Sequence, residues 1–128
     1  LCIIKKMVTD LNYNIQICSG STVRDQNGLA LSSRNKYLSS AEQKKASVLY
    51  NTLILGAQLI KEKKNYDFIY KAMIKKMNSQ PNIKIDYLSI ASLNDFKELK
   101  NNVQKSNLVI SGAIYINKVR LIDNVTIL

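Results

Sequence analysis

Between Ser40 and Lys63 the apolar residues Ala46, Leu49, Tyr50, Leu53, Ala57 and Ile60 recur at three- and four-residue steps, and beyond Pro81 the period drops to two. That switch limits the fold more than any other feature. A stripe at helical spacing buries one side of a helix, whereas alternation buries one face of a strand. The spacing predicts one long helix from about Ser40 to Lys63, opened by a Ser39–Glu42 capping box and closed by Lys61, Lys63 and Lys64. A second helix is predicted from Tyr66 to Met77 behind an Asn65 cap, with Tyr66, Ile69, Tyr70, Met73, Ile74 and Met77 as its core stripe. Ile83 to Ile90 alternates as a strand, and Ser92 to Lys100 reads as a loop with a short helical turn. Leu108 to Ile116 and Val119 to Ile122 read as a hairpin turning at Asn117-Lys118. Helices packed on a small antiparallel sheet make an α+β layer domain.

The first twenty residues follow a different pattern. Ile3, Ile4, Met7, Val8 and Leu11 have helical spacing, Asn12-Tyr13-Asn14 breaks it, and Ile15-Gln16-Ile17-Cys18 alternates as a short strand. Helix, turn and strand are expected to be the last helix and strand of a Rossmann-like α/β domain. Residues 1–20 are therefore read as a remnant of that domain and residues 21–128 as a C-terminal α+β domain. The chain also lacks an initiator Met, which fits a piece of a longer protein.

With 128 residues, 46% of them apolar, the chain can bury one modest core. No apolar run approaches the roughly 18 residues of a membrane span, so no membrane partner is expected. The absence of histidine excludes a zinc–histidine site, a Ser-His-Asp triad and a Cys-His dyad within these residues. Cys2 and Cys18 offer neither a disulfide framework nor metal spacing, and reduced thiols in the cytoplasm are the expected state. No metal ligand is assigned.

The net charge of +10 raises the alternative of a basic, non-enzymatic module that binds RNA or an acidic partner. Its distribution argues against nucleic acid. Lys supplies 16 of the 19 basic residues, scattered over several predicted helices, as A+T-rich codons would produce. The three arginines carry more information. Arg24, Arg34 and Arg120 each lie beside a short polar cluster, where a planar fork of donors serves better than a lysine.

The richest of these clusters runs Gly28-Leu29-Ala30-Leu31-Ser32-Ser33-Arg34-Asn35-Lys36-Tyr37-Leu38-Ser39. Two hydroxyls, a guanidinium and an amide, with no carboxylate among them, precede the long helix, where backbone N–H groups are unpaired. Such a set suits a phosphate. Capping chemistry alone also accounts for a Ser-Ser pair before a helix. Spacing leaves both readings open, including a purely structural domain in which Ser-Ser-Arg is a cap.

The segment from Thr22 to Ser39, including Thr22-Val23-Arg24-Asp25 and Leu31-Ser32-Ser33-Arg34-Asn35, resembles the corresponding stretch of the pantothenate synthetase (pantoate–β-alanine ligase) family. Three further segments match in order: Lys6-Met7-Val8-Thr9-Asp10-Leu11, Ile85-Asp86-Tyr87-Leu88, and the closing Arg120-Leu121-Ile122-Asp123-Asn124. The resemblance implies an ATP-dependent ligase that joins pantoate to β-alanine through a pantoyl adenylate, releasing pyrophosphate and then AMP. It implies small-molecule partners (ATP, pantoate and β-alanine), Mg²⁺ with the nucleotide, and a homodimer for the full-length enzyme. Leu31, Ser32, Ser33 and Arg34 then correspond to the ATP-binding loop, with Ser32, Ser33 and Arg34 stabilising the transition state, and Val23 to the position whose backbone meets adenine. The family's histidine-containing phosphate motif and its lysine-aspartate-glutamine segment lie upstream of these residues, so this chain alone is expected to be inactive. Ser111-Gly112 and Tyr115-Ile116-Asn117 replace the small residues and glycine usual at the hairpin, with an effect expected on packing only.

Overall fold

The computed structural model describes residues 1–101, 103 and 107–128. Along the chain run α1 (Cys2–Asp10), a 3₁₀ turn (Ser33–Tyr37), α2 (Ser40–Ala46), α3 (Val48–Lys61), α4 (Tyr66–Met77), β1 (Ile83–Ser92), β2 (Leu108–Ile116) and β3 (Val119–Ile127). The strands form one antiparallel sheet in the order β1-β2-β3; α3 packs against β2 and β3, and α2 and α4 pack against α3. This is the α+β layer arrangement that the two periods imply.

Strand β2 is central because its alternate residues Leu108, Ile110, Ile114 and Ile116 are apolar and buried, while both of its edges are hydrogen-bonded. Ile110 stands opposite Ile90 on one side and Val125 on the other. The two-residue connection at Asn117-Lys118 places Asn117 in the left-handed region (φ 53°), which asparagine tolerates better than most residues. Pairing extends β1 to Ser92 and β3 to Ile127, beyond the boundaries that alternation suggests. A strand ends where its partner ends, and the sequence does not show the partner.

Helix α3 buries Leu49, Leu53, Gly56 and Ile60 against α4 and the sheet. Gly56 marks the closest approach. A Cβ there would stand 2.6 Å from Met73 Sδ and 3.2 Å from Ile110 Cδ1, so hydrogen is the side chain that the packed position accepts. Helix α4 starts as its cap predicts, with the Phe68 N–H donating to Asn65 Oδ1 at 2.9 Å, and buries Ile69, Met73 and Met77.

Two expectations need correction. The predicted helix from Ser40 to Lys63 is divided at Ser47, whose hydroxyl donates to the Lys44 carbonyl at 2.7 Å. A serine bonding back into the preceding turn competes with the helical ladder, and the break sits there. The predicted strand Ile15–Cys18 does not form among the described residues, and Ile15 is 60% exposed. Alternation is only half of a strand, because the backbone groups need a neighbouring strand to pair with. The capping box, by contrast, is present. The Glu42 N–H donates to Ser39 Oγ, the Ser39 N–H donates to Glu42 Oε2, and Asn117 Nδ2 donates to the other carboxylate oxygen, tying the β2–β3 turn to α2. These bonds, the Ser39 N–H first, hold the Glu42 carboxyl below its ordinary pKa.

Leu53 is fully buried and its neighbour Ile54 is 42% exposed. Leu53→Ala is expected to cost about 2–5 kcal/mol in urea unfolding, by lost transfer energy plus a residual cavity. Ile54→Ala is expected to stay within about 0.5 kcal/mol of the parent.

Candidate functional site

The Asn27-Gly28 turn closes a small hairpin whose rungs are Asp25 N–H to Leu29 O and Leu31 N–H to Val23 O, both 2.9 Å. Asp25 Oδ1 accepts from the N–H groups of Asn27 and Leu29 at 2.8 and 2.9 Å, an Asx-type turn. Gly28 has φ +92°, and a Cβ there would stand 2.6 Å from the Tyr50 ring, so glycine is needed for both conformation and space.

The Tyr50 ring is held where it is by Arg24. The guanidinium lies over the ring at 3.6 Å from its centroid and donates to both carboxylate oxygens of Asp123 and to the Gly28 carbonyl at 3.0 Å. Asp123 is 8% exposed, on the face of β3 turned toward the helices, and its Oδ1 also accepts from the Asn124 N–H at 2.8 Å. The hydrogen bond with Asp123 raises the Arg24 pKa above its ordinary value, so the cation persists at any working pH. One side chain thereby joins the hairpin, α3 and β3.

Beyond the hairpin the chain enters the 3₁₀ turn. Ser32 caps it by accepting from the Arg34 N–H at 3.3 Å, and Leu31, Ser32, Ser33 and Arg34 are all exposed. Asn35 stitches the turn down. Its Nδ2 donates to the Ala30 carbonyl at 3.0 Å, while its own carbonyl accepts from Gln43 Nε2 at 3.0 Å. The reading that Ser32 and Ser33 stand at the start of the long helix is corrected here. That helix begins at Ser40, behind its own capping box, and the serines lie a whole 3₁₀ turn earlier. Any anion at this turn is held by side chains, without a helix end behind it.

The three arginines separate clearly. Arg24 is forked onto Asp123, and Arg120 donates through Nε and a terminal nitrogen to Asp86 Oδ2 at 2.9 and 2.8 Å. The Arg34 guanidinium has no hydrogen-bond or ion-pair partner among the described residues. It stands on the rim of a cleft of about 230 Å³ between Leu31, Ser32 and Asn35 on one side and Tyr50 and Ile122 on the other. Leu31 and Val23, bonded across the hairpin, present two exposed apolar side chains next to this cleft (60% and 67%). No group of three or more His, Cys, Asp or Glu residues able to hold a metal occurs among the described residues. No described helix is long and apolar enough to cross a membrane.

Of the five residues singled out from sequence, Leu31, Ser32 and Arg34 line this cleft, Val23 is joined to Leu31 across the hairpin, and Ser33 lies on the exposed turn outside the lining. The structure gives three residues roles that the sequence did not show: Asp123 as the partner of Arg24, Tyr50 as its platform, and Asn35, one of the polar donors of the loop, as the stitch between Ala30 and Gln43. Helical spacing marks Tyr50 only as core. The closing Arg120-Leu121-Ile122-Asp123-Asn124 segment marks Asp123 by resemblance alone, and nothing in the sequence shows that its partner is Arg24, 99 residues away.

A family profile described as Pantoate-beta-alanine ligase matches residues 1–126. The chain is 43% identical over 127 residues to the pantothenate synthetase of Clostridium acetobutylicum, covering 98% of this chain and 44% of that protein. It is 41% identical over 128 residues to that of Caldicellulosiruptor bescii, covering 99% and 45%. The crystal structure of pantothenate synthetase from Thermus thermophilus superposes with a TM-score of 0.88 at 31% identity, covering 97% of this chain and 44% of that one. The pantoate-beta-alanine ligase of Francisella tularensis, complexed with beta-gamma ATP and beta-alanine, superposes with a TM-score of 0.62 at 32% identity, covering 97% and 38%. The chain thus spans less than half the length of these relatives.

The buried ion pair makes a measurable claim. Asp123→Ala leaves a partly buried guanidinium without its partner and is expected to cost about 3–5 kcal/mol in chemical denaturation. Asp86→Ala at the exposed Arg120 pair is expected to change the midpoint far less, and by less still in molar salt.

Proposed function

Because the chain belongs to the pantoate-beta-alanine ligase family, we propose that it supplies the phosphate-gripping part of an ATP-dependent ligase that joins pantoate to β-alanine. Residues 1–20 are the end of an upstream Rossmann-like domain and residues 21–128 the C-terminal domain. In support, α1 exposes Ile3, Ile4, Met7 and Leu11, an apolar face suited to cover by further chain. The enzyme works in the cytoplasm as a homodimer on small-molecule substrates. The Lys-rich binding-module alternative draws no support from the family match.

The chemistry runs in two displacements. A pantoate carboxylate oxygen attacks the α-phosphorus of ATP, the bond to the β-phosphate oxygen breaks, and pyrophosphate carries away the electron pair. The amine of β-alanine then attacks the acyl carbon, AMP leaves, and the amine proton passes to solvent. A carboxylate nucleophile is already ionised at neutral pH, so the first step needs no general base, in keeping with a chain without histidine. What it needs is stabilisation of the charge growing on the departing phosphates. The Ser32 and Ser33 hydroxyls and the Arg34 guanidinium are donors of that kind, on one exposed turn without a carboxylate among them. The apolar side chains of Val23 and Leu31 offer adenine a surface, and the Val23 carbonyl keeps one lone pair for its amino group. Magnesium would arrive coordinated by the nucleotide phosphates, where it would offset their charge; the described residues hold no cluster of three or more His, Cys, Asp or Glu to bind it independently.

The observation that carries this reading is the unpaired Arg34 guanidinium on the cleft rim, in a chain whose other two arginines are both committed to carboxylates. In a full-length ligase containing this sequence, Arg34→Ala is expected to lower kcat for adenylate formation by about 10²–10³-fold, the cost of one preorganised donor. KM for ATP changes much less, and Arg34→Lys recovers only part of the rate. β-Alanine addition to preformed pantoyl adenylate should continue at nearly the parent rate. Equal loss in both half-reactions would make Arg34 structural and return the loop to a capping role.

The residues of this chain alone, incubated with pantoate, ATP, Mg²⁺ and β-alanine, are expected to release no AMP above background, because orientation of both reactants needs the rest of the site. Turnover at the rate of an ordinary enzyme would contradict the proposed division of the site.

A further inference from the structure

We infer that the Arg24–Asp123 pair, acting through Asn35, is the positioning device that aims Arg34 at the leaving phosphates. This rests on the reading of Arg34 given above and extends it to residues outside the donor set of Ser32, Ser33 and Arg34.

A buried ion pair is a poor way to gain stability, since apolar residues of similar volume often do as well or better. What a bidentate fork supplies that apolar contact does not is a single orientation. Arg24 has that orientation set from three directions: the Asp123 carboxylate in the plane of the fork, the Gly28 carbonyl at 3.0 Å, and the Tyr50 ring at 3.6 Å beneath. The hairpin base is therefore fixed in rotation as well as in place relative to β3 and α3.

From that base a short run of bonds leads to the turn. Arg24 and Ala30 stand opposite each other between the hairpin bonds Asp25 N–H to Leu29 O and Leu31 N–H to Val23 O, Ala30 O accepts from Asn35 Nδ2 at 3.0 Å, and Asn35 O accepts from Gln43 Nε2 at 3.0 Å. Leu31, Ser32, Ser33 and Arg34 span the interval between Ala30 and Asn35. The Arg34 side chain makes no bond of its own to a described residue, so the backbone at its two ends is what sets its origin. Asp123 lies 99 residues from Arg24 in the chain and gives the turn its reference to the sheet.

Stability and aim can be separated by exchanging the ion pair for apolar residues. In the full-length ligase, the double variant Arg24→Met with Asp123→Leu should unfold at a denaturant midpoint close to the parent's or above it, yet form pantoyl adenylate ~10–10²-fold more slowly, the usual consequence of displacing a reacting group by about 1 Å. KM for ATP should stay within about threefold, and the reaction of preformed pantoyl adenylate with β-alanine within about twofold. Asn35→Ala, which leaves the ion pair intact, should reproduce the same selective loss in smaller degree. Should the double variant fail to fold, Arg24→Lys, assayed where circular dichroism shows it folded, takes its place with the same expected split. Parent-like adenylation in a folded double variant, or equal loss in both half-reactions, overturns the inference. An Arg34→Ala variant without selective loss overturns the reading beneath it, whereas a selective Arg34→Ala beside parent-like clamp variants overturns the positioning role alone.

Discussion

Asp123 sits on the face of β3 that packs toward the helices, between Leu121 and Val125, and a carboxylate there cannot remain charged and alone. Desolvating an unpaired ion costs several kcal/mol, so a cation must be brought to it. The cation is Arg24, drawn from a hairpin near the other end of the chain, and its arrival organises much else. The guanidinium needs a surface, which Tyr50 of α3 provides, and the turn that lets the chain pass that ring requires a glycine at position 28. A loop rich in polar residues is thereby held against the domain by a charged contact at its base, with Leu29 and Leu38 buried in the core and Gln43 bonded to the Asn35 and Leu38 carbonyls.

The same contact explains the uneven use of arginine. In a chain that otherwise uses lysine, a lysine would suffice wherever a solvated point charge is wanted. Arg24 and Arg120 each place two N–H groups on one carboxylate, a geometry that an ammonium cannot reproduce. Arg34 has the same fork and no carboxylate to receive it. Planar donors without an acceptor, on an exposed turn beside two hydroxyls, are what a phosphate fits, and that is the chemical link between the fold and the proposed ligase step.

Much of the architecture is legible along the chain. The Asn65 cap places the start of α4 at Tyr66, where the structure has it, and the Ser39–Glu42 box places the start of α2 at Ser40. Both are local signals, because the partner of the capping side chain lies three residues away. Failures occur where the partner is distant or has to compete. Ser47 divides the long helix because a hydroxyl three residues along outcompetes the ladder, a contest that spacing does not reveal. Ile15–Cys18 has the alternation of a strand but no strand beside it among the described residues. In β3 the polar pair Asp123-Asn124 interrupts the apolar pattern, and pairing with β2 carries the strand through it to Ile127.

For the site, the sequence alone determined which polar donors stand together: Ser32, Ser33 and Arg34 in one run without a carboxylate, in 128 residues that hold no histidine. Those are properties of residue type and near order, set by composition and by a few neighbouring positions. Tertiary structure decided the relation between them. It left Arg34 unpaired while pairing Arg24 and Arg120, brought Tyr50 from a core stripe to the underside of a cation, and moved the serines off the helix end where linear spacing had placed them. The reason is that a carboxylate's partner is chosen by burial and by distance through space, and neither is written in the order of the residues.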